Sequence, residues 1–187
     1  AEVDARHPEL ARDGGTPSLW DPAELGRVLT GLAAAFVLAA DAEVTVECNP
    51  TSVDAPRAEA WLRAGVNRVS VGVQGLDAAR LRLLGRQHDP EDAVGAIRAV
   101  ATAGVPRIAA DLIFGLPDEP PEAAAGDARA LAALPLTHVS AYALTLEAGT
   151  PLGERVRAGR VRPASEDAVA DSYLAVSEAL REEGFVH

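Results

Sequence analysis

Arg107-Ile108-Ala109-Ala110-Asp111-Leu112-Ile113-Phe114-Gly115-Leu116-Pro117 decides how the rest of the chain is read. An apolar run closed by Gly-Leu-Pro has the composition and the stop signal of a strand. Its apolar residues do not alternate cleanly with polar ones, as expected of a strand covered on both faces in a parallel sheet. Working outward, RVSVGVQ (68–74) and EVTVECNP (43–50) precede it, and HVSAYALT (138–145) follows it, each with the same character. The expected strands start at 43, 68, 107 and 138, which leaves room for a helix between each pair.

Helix signals occupy those gaps. Asp21-Pro22 opens a first helix, with Asp21 as N-cap and Glu24 as its expected capping-box partner. Asp54 caps a helix that runs to Ala64 and stops at Gly65. A short helix is expected from Asp77 to Leu84, one from Asp89-Pro90-Glu91 to Gly104, one from Pro121 to Ala133, and a last one from Ser165 to Glu183. Residues 148–164 read as a Gly- and Pro-bearing connection, and Gly184–His187 as the opening of a fifth strand. Strands alternating with helices predict an α/β chain with a parallel sheet, either a stretch of a (β/α) barrel or an open doubly wound sheet. No GxGxxG follows the first strand, so a dinucleotide fold has no support. The expected organisation is a poorly ordered segment, 1–13, followed by one domain, 14–187.

Composition narrows the function. The 187 residues carry a net charge of −11, with all 17 basic residues Arg. That balance disfavours binding to a phosphate backbone, so no nucleic-acid partner is expected. No apolar run is long enough for a membrane span, and no signal peptide is visible, so the expectation is a cytoplasmic chain. Cys48 is the single cysteine and cannot supply a metal or cluster ligand set by itself. With Ala at position 1 and no Met anywhere, the chain is expected to be part of a longer product.

In parallel α/β folds, ligands gather beyond the C-terminal ends of the strands. Glu47, Gln74, Asp111 and Thr145 lie at those ends, Arg86 follows the short helix, and Gly14-Gly15-Thr16 precedes them all. Glu47 and Asp111 suit an ammonium group or ribose hydroxyls, and Arg86 suits a carboxylate. Each has a plainer reading beside this one. Glu47 and Gln74 could bond loop backbone, and Arg86 could form a surface ion pair. Asp111 within an apolar strand needs a partner. Cys48 reads as a small buried filler, and Glu43, Glu59 and Arg80 as solvated surface charges. His7, His88, His138 and His187 have no ligand spacing.

The order GGTPS, ECNP, RVSVGVQ, LLGR, DLIFGLP and SAYALTLEAGTP resembles the radical SAM proteins, in particular the oxygen-independent coproporphyrinogen III oxidase-like family. Within it, GGTPS and LTLEAGTP look more like the haem chaperone (HemW) branch. The resemblance runs from Gly14 to His187. It implies a partial parallel (β/α) barrel that binds S-adenosylmethionine. Gly14, Gly15 and Thr16 match the turn that meets the methionine amino group. Glu47, Gln74, Arg86 and Asp111 match positions that hold the methionine and ribose parts, with Thr145 a weaker match. The family's CxxxCxxC loop has no counterpart in these residues, and Asp13 stands where the family's turn has a third glycine. A [4Fe–4S] cluster is therefore expected only in a full-length relative, and radical chemistry by this chain alone is not expected. The implied function is that of a haem chaperone fragment whose partners are haem or a porphyrinogen and haem-accepting apoproteins. Its alternatives are a coproporphyrinogen oxidase of porphyrin biosynthesis and a non-functional remnant.

Overall fold

The computed structural model describes residues 17–187. Four strands form one parallel sheet in the order β1 (Thr45–Cys48), β2 (Arg68–Gln74), β3 (Arg107–Phe114) and β4 (His138–Ala143). Each strand pairs with its sequence neighbour. A parallel pair needs a long crossover, and each crossover here contains at least one helix: α2 (Ala55–Ala64) between β1 and β2, α3 (Ala78–Leu83) and α4 (Pro90–Thr102) between β2 and β3, and α5 (Pro121–Ala132) between β3 and β4. Helix α1 (Pro22–Ala35) precedes the sheet and packs on α2. Helices α6 (Pro151–Arg157) and α7 (Glu166–Glu182) follow it, and α7 packs on α5.

Local chemistry sets the helix ends. The side chains of Asp54, Asp77 and Ser165 each accept a first-turn amide, and Asp89 forms a full capping box with Asp92. Such caps satisfy N–H groups that a helix start leaves orphaned. At the other end of α2, Gly65 takes φ 105°, the left-handed conformation that glycine adopts without strain.

Side chains alternate across a strand, and this sheet separates them by chemistry. Val46, Cys48, Val69, Val71, Val73, Ile108, Ala110, Leu112 and Phe114 point to one face and are buried. The core residues of α2, α4, α5 and α7 close over that face, with Trp61 fully buried among them. The indole Nε1 of Trp61 has no hydrogen-bond partner among the described residues. The other face carries Thr45, Glu47, Arg68, Ser70, Gly72, Asp111, Ser140 and Tyr142.

Several expectations need correction. Strands β1, β3 and β4 are shorter than the stretches read as strand. Asp21 caps α1 through Ala23 N at 2.8 Å, but Glu24 turns away to pair with Arg27 and completes no capping box. The connection 148–164 contains α6, whose start is set by Thr150 as N-cap and Pro151 in the first turn. Gly184–His187 joins no ladder; Gly184 and Phe185 instead close the end of α7 by bonding Arg181 O and Leu180 O. The segment 1–13 lies outside the described residues.

Candidate functional site

Glu47, Ser70 and Asp111 stand on the polar face of three adjacent strands. Glu47 is in register with Ser70, and Asp111 with Ser140. Ser70 Oγ lies 3.3 Å and 3.5 Å from the two carboxylate oxygens of Asp111. Burial pushes the Asp111 carboxyl above its ordinary range. Hydrogen bonds from Ser140 and Ser70 oppose that shift, the charge of Glu47 adds to it, and Arg68 works against it. Glu47 is exposed, so its carboxylate meets solvent while Asp111 is half-buried beside it. Two acids on one open face of the sheet suit a cation or a hydroxyl donor.

Gln74 ends β2 where the ladder to β3 slips between Val71 and Gln74. Its φ is +68°, a value non-glycine residues adopt rarely and at a cost. Its buried amide folds back over Gly72, where a Cβ added to the glycine would stand 2.8 Å from Gln74 Nε2. The same Cβ would lie 3.6 Å from Cys48 O and 3.9 Å from Asn49 Oδ1. Gly72 thus leaves a space that the Gln74 amide fills, next to the end of β1.

Arg86 lies just beyond α3, in a loop whose far end is tied to the strand by His88 Nε2, 2.9 Å from Val73 O. Arg86 Nε is buried and has no partner among the described residues. Burial alone pulls its pKa below the usual guanidinium value. A buried N–H without an acceptor is uncommon in a folded chain and marks a place where an anion or carbonyl would be held. Thr145 follows β4 and is exposed. Gly14, Gly15 and Thr16 lie outside the described residues; the chain that follows them is pinned near the end of β1, where Ser18 Oγ and Ser52 Oγ are 2.8 Å apart. Glu47, Gln74 and Asp111 thus share the polar face, and Arg86 sits in the loop tied to the end of β2.

One reading is overturned. Arg80 is not a solvated surface charge; only 19% of its side chain is exposed. It pairs with Glu119, whose side chain is fully buried, and its Nη2 is 3.0 Å from the Asp127 carboxylate. Burial works against its charge, but the two carboxylates outweigh burial and lift its pKa. Glu119 and Asp127 were missed in the sequence. Asp127 sits in AAAGDARA, a lone acid among small helix residues, and the same cost argument that singled out Asp111 applies to it.

Cys48 is 4% exposed on the helix-covered face. Burial, with some help from Asp111, pushes its thiol up to about 12. A thiol held so firmly protonated is a poor cluster ligand, and no group of three potential metal ligands occurs among the described residues. The described residues do not fit an iron–sulfur cluster. They do fit an amino-acid nucleotide: acids on an open face, an amide placed by a strained backbone, and a buried guanidinium awaiting an acceptor.

The chain is similar in sequence and in fold to known proteins. The family model described as "Radical SAM superfamily" matches residues 14–131. The chain is 44% identical over 142 residues to heme chaperone HemW of Escherichia coli strain K12, covering 76% of this chain and 38% of that protein. It is 41% identical over 172 residues to the mitochondrial radical S-adenosyl methionine domain-containing protein 1 of Mus musculus, covering 92% of this chain and 39% of the relative. It therefore spans about two-fifths of the length of these relatives. The solved structure of Escherichia coli coproporphyrinogen III oxidase superposes with a TM-score of 0.77 at 24% identity, over 92% of this chain and 39% of the other. No helix among the described residues is long and apolar enough to cross a membrane. A parallel sheet with a polar open face, the matched family model and the shared fold lead to one conclusion: the chain belongs to the radical SAM superfamily.

Proposed function

We propose that this chain is the S-adenosylmethionine-binding part of a haem chaperone of the HemW type. The observation that carries the reading is the joint placement of Glu47, Asp111 and Gln74 on the polar face, with the orphaned Arg86 Nε in the loop beyond β2. In this reading Glu47 and Asp111 accept hydrogen bonds from the ammonium and ribose hydroxyls, Arg86 holds the carboxylate, and Gln74 supplies an amide. Thr145, just after β4, is a further contact in this reading. In its family S-adenosylmethionine works with a [4Fe–4S] cluster; the described residues, whose single cysteine Cys48 is buried, do not supply the ligands of one, so we assign binding of the nucleotide to this chain. The 44% identity to a heme chaperone favours haem, handed to an apoprotein, as the cargo of the whole protein.

Calorimetric titration of the 187-residue chain with S-adenosylmethionine tests the reading. Saturable binding is expected, weakened at least ten-fold by Arg86→Gln, which keeps a polar side chain but loses the guanidinium. Binding equal in the parent and in Arg86→Gln, or no binding in the parent, sinks it.

A further inference from the structure

The Arg80 cluster reaches the turns that follow two adjacent strands, β2 and β3. Glu119 Oε2 accepts the backbone N–H groups of Gly115 at 2.7 Å and Leu116 at 3.1 Å, in the turn that follows β3. Asp127 Oδ2 accepts the N–H of Leu76 at 2.9 Å, in the turn that follows β2. Arg80 bonds both carboxylates at once, across 39 and 47 residues of sequence. Its own place is fixed because Asp77, the cap of α3, accepts the Arg80 N–H at 2.8 Å. Gly75, directly after Gln74, lies against the same acid: an added Cβ would be 3.4 Å from Asp127 Oδ2. Gly115 has φ +74° and approaches α7 so closely that an added Cβ would stand 3.1 Å from Val169 Cγ2.

The geometry points to Arg80 as a positioning residue of the nucleotide site: through Glu119 and Asp127 it locks the turns after β2 and β3 together and so sets where Gln74 and Asp111 stand. This rests on the proposed nucleotide site. Arg80 itself need not touch the ligand. It works because a planar guanidinium can donate to two carboxylates in fixed directions, while each carboxylate uses its other oxygen on the turn backbone. Without Arg80, two buried acids repel each other, and the amides they hold are released.

The test uses the 187-residue chain with Arg80→Met and Arg80→Lys, and with Arg129→Met as control. Arg129 pairs with Glu182 between α5 and α7, half-exposed and outside the site. Two readouts are taken: amide hydrogen exchange at Leu76, Gly115 and Leu116, and titration with S-adenosylmethionine. Arg80→Met is expected to speed exchange at all three amides and weaken binding, each at least ten-fold, while the control changes neither. Arg80→Lys is expected to restore part of both. Faster exchange with the parent's affinity overturns the positioning role, because a merely structural cluster would lower stability and leave the folded site intact. Parent exchange in Arg80→Met overturns the coupling itself. If Arg80→Met does not fold, Arg80→Lys against the parent carries the same two comparisons. A parent that binds no S-adenosylmethionine overturns both the nucleotide reading and this role, and is told apart because it fails before any substitution.

Discussion

At Asp111 burial and the neighbouring Glu47 oppose ionisation, and two serine hydroxyls with Arg68 favour it; the outcome is a pKa above the ordinary 3.8. The folded chain therefore keeps this proton to higher pH than the unfolded chain does. The carboxylate weakens the fold above its folded pKa, and the effect vanishes below about 3.8. Asp111→Asn, which keeps the shape and the serine contacts, is expected to raise the melting temperature at neutral pH by a few degrees. It should also flatten the fall of stability with pH just above that value, as thermal melts over an acid series would record. The same substitution should weaken S-adenosylmethionine binding at least ten-fold, a trade of stability against function common at binding sites. Gly72→Ala separates the two in another way. The new methyl group displaces only the flexible end of Gln74, so denaturant stability should stay within about 1 kcal/mol of the parent. Nucleotide affinity should fall, because the Gln74 amide can no longer lie where it does.

Among the elements, similar glycines predict opposite outcomes. Gly153 sits in the first turn of α6, and an added Cβ would collide with the Glu147 carbonyl oxygen. Gly153→Ala should cost about 1–3 kcal/mol, the range for overpacking. Gly126 in α5 and Gly95 in α4 face open space, so alanine there should stabilise by about 0.5–1 kcal/mol. Urea midpoints of the three variants check the signs. These elements also mark what the sequence makes legible. Caps are local, so the helix starts at Asp54, Asp77, Asp89 and Ser165 could be placed from neighbours alone, and in the structure each of these residues caps its helix. Helix α6 was hidden because Gly149, Pro151, Gly153 and Gly159 read as a loop, although Thr150-Pro151 is itself a start signal. The site divides the same way. Glu47, Gln74 and Asp111 were legible because strand ends collect ligands, whereas Arg80 was not, because its partners are distant in sequence and only the folded sheet brings them near.

For the molecule as a whole, β1 and β4 are the outer strands of the sheet among the described residues. Outer strands offer unpaired backbone groups to another copy. The −11 net charge opposes that approach, but salt screens charge over a Debye length of about 10 Å at 0.1 M and leaves contact pairing untouched. Self-association is therefore expected to grow with salt, as light scattering over a salt series would register. A chain that stays monomeric throughout would mean that its edges are protected. The helix layer over the apolar face has one more consequence, an optical one. The chain has two tryptophans: Trp61, sealed with its indole nitrogen unpartnered among the described residues, and Trp20, 37% exposed. The protein thus carries a dry fluorophore and a wet one. Acrylamide should extinguish the red-shifted glow of Trp20 and leave a blue-shifted remainder that Trp61→Phe abolishes. That remainder should become quenchable only when the helices lift from the sheet, so a dye-free measurement of emission colour would time the opening of the core.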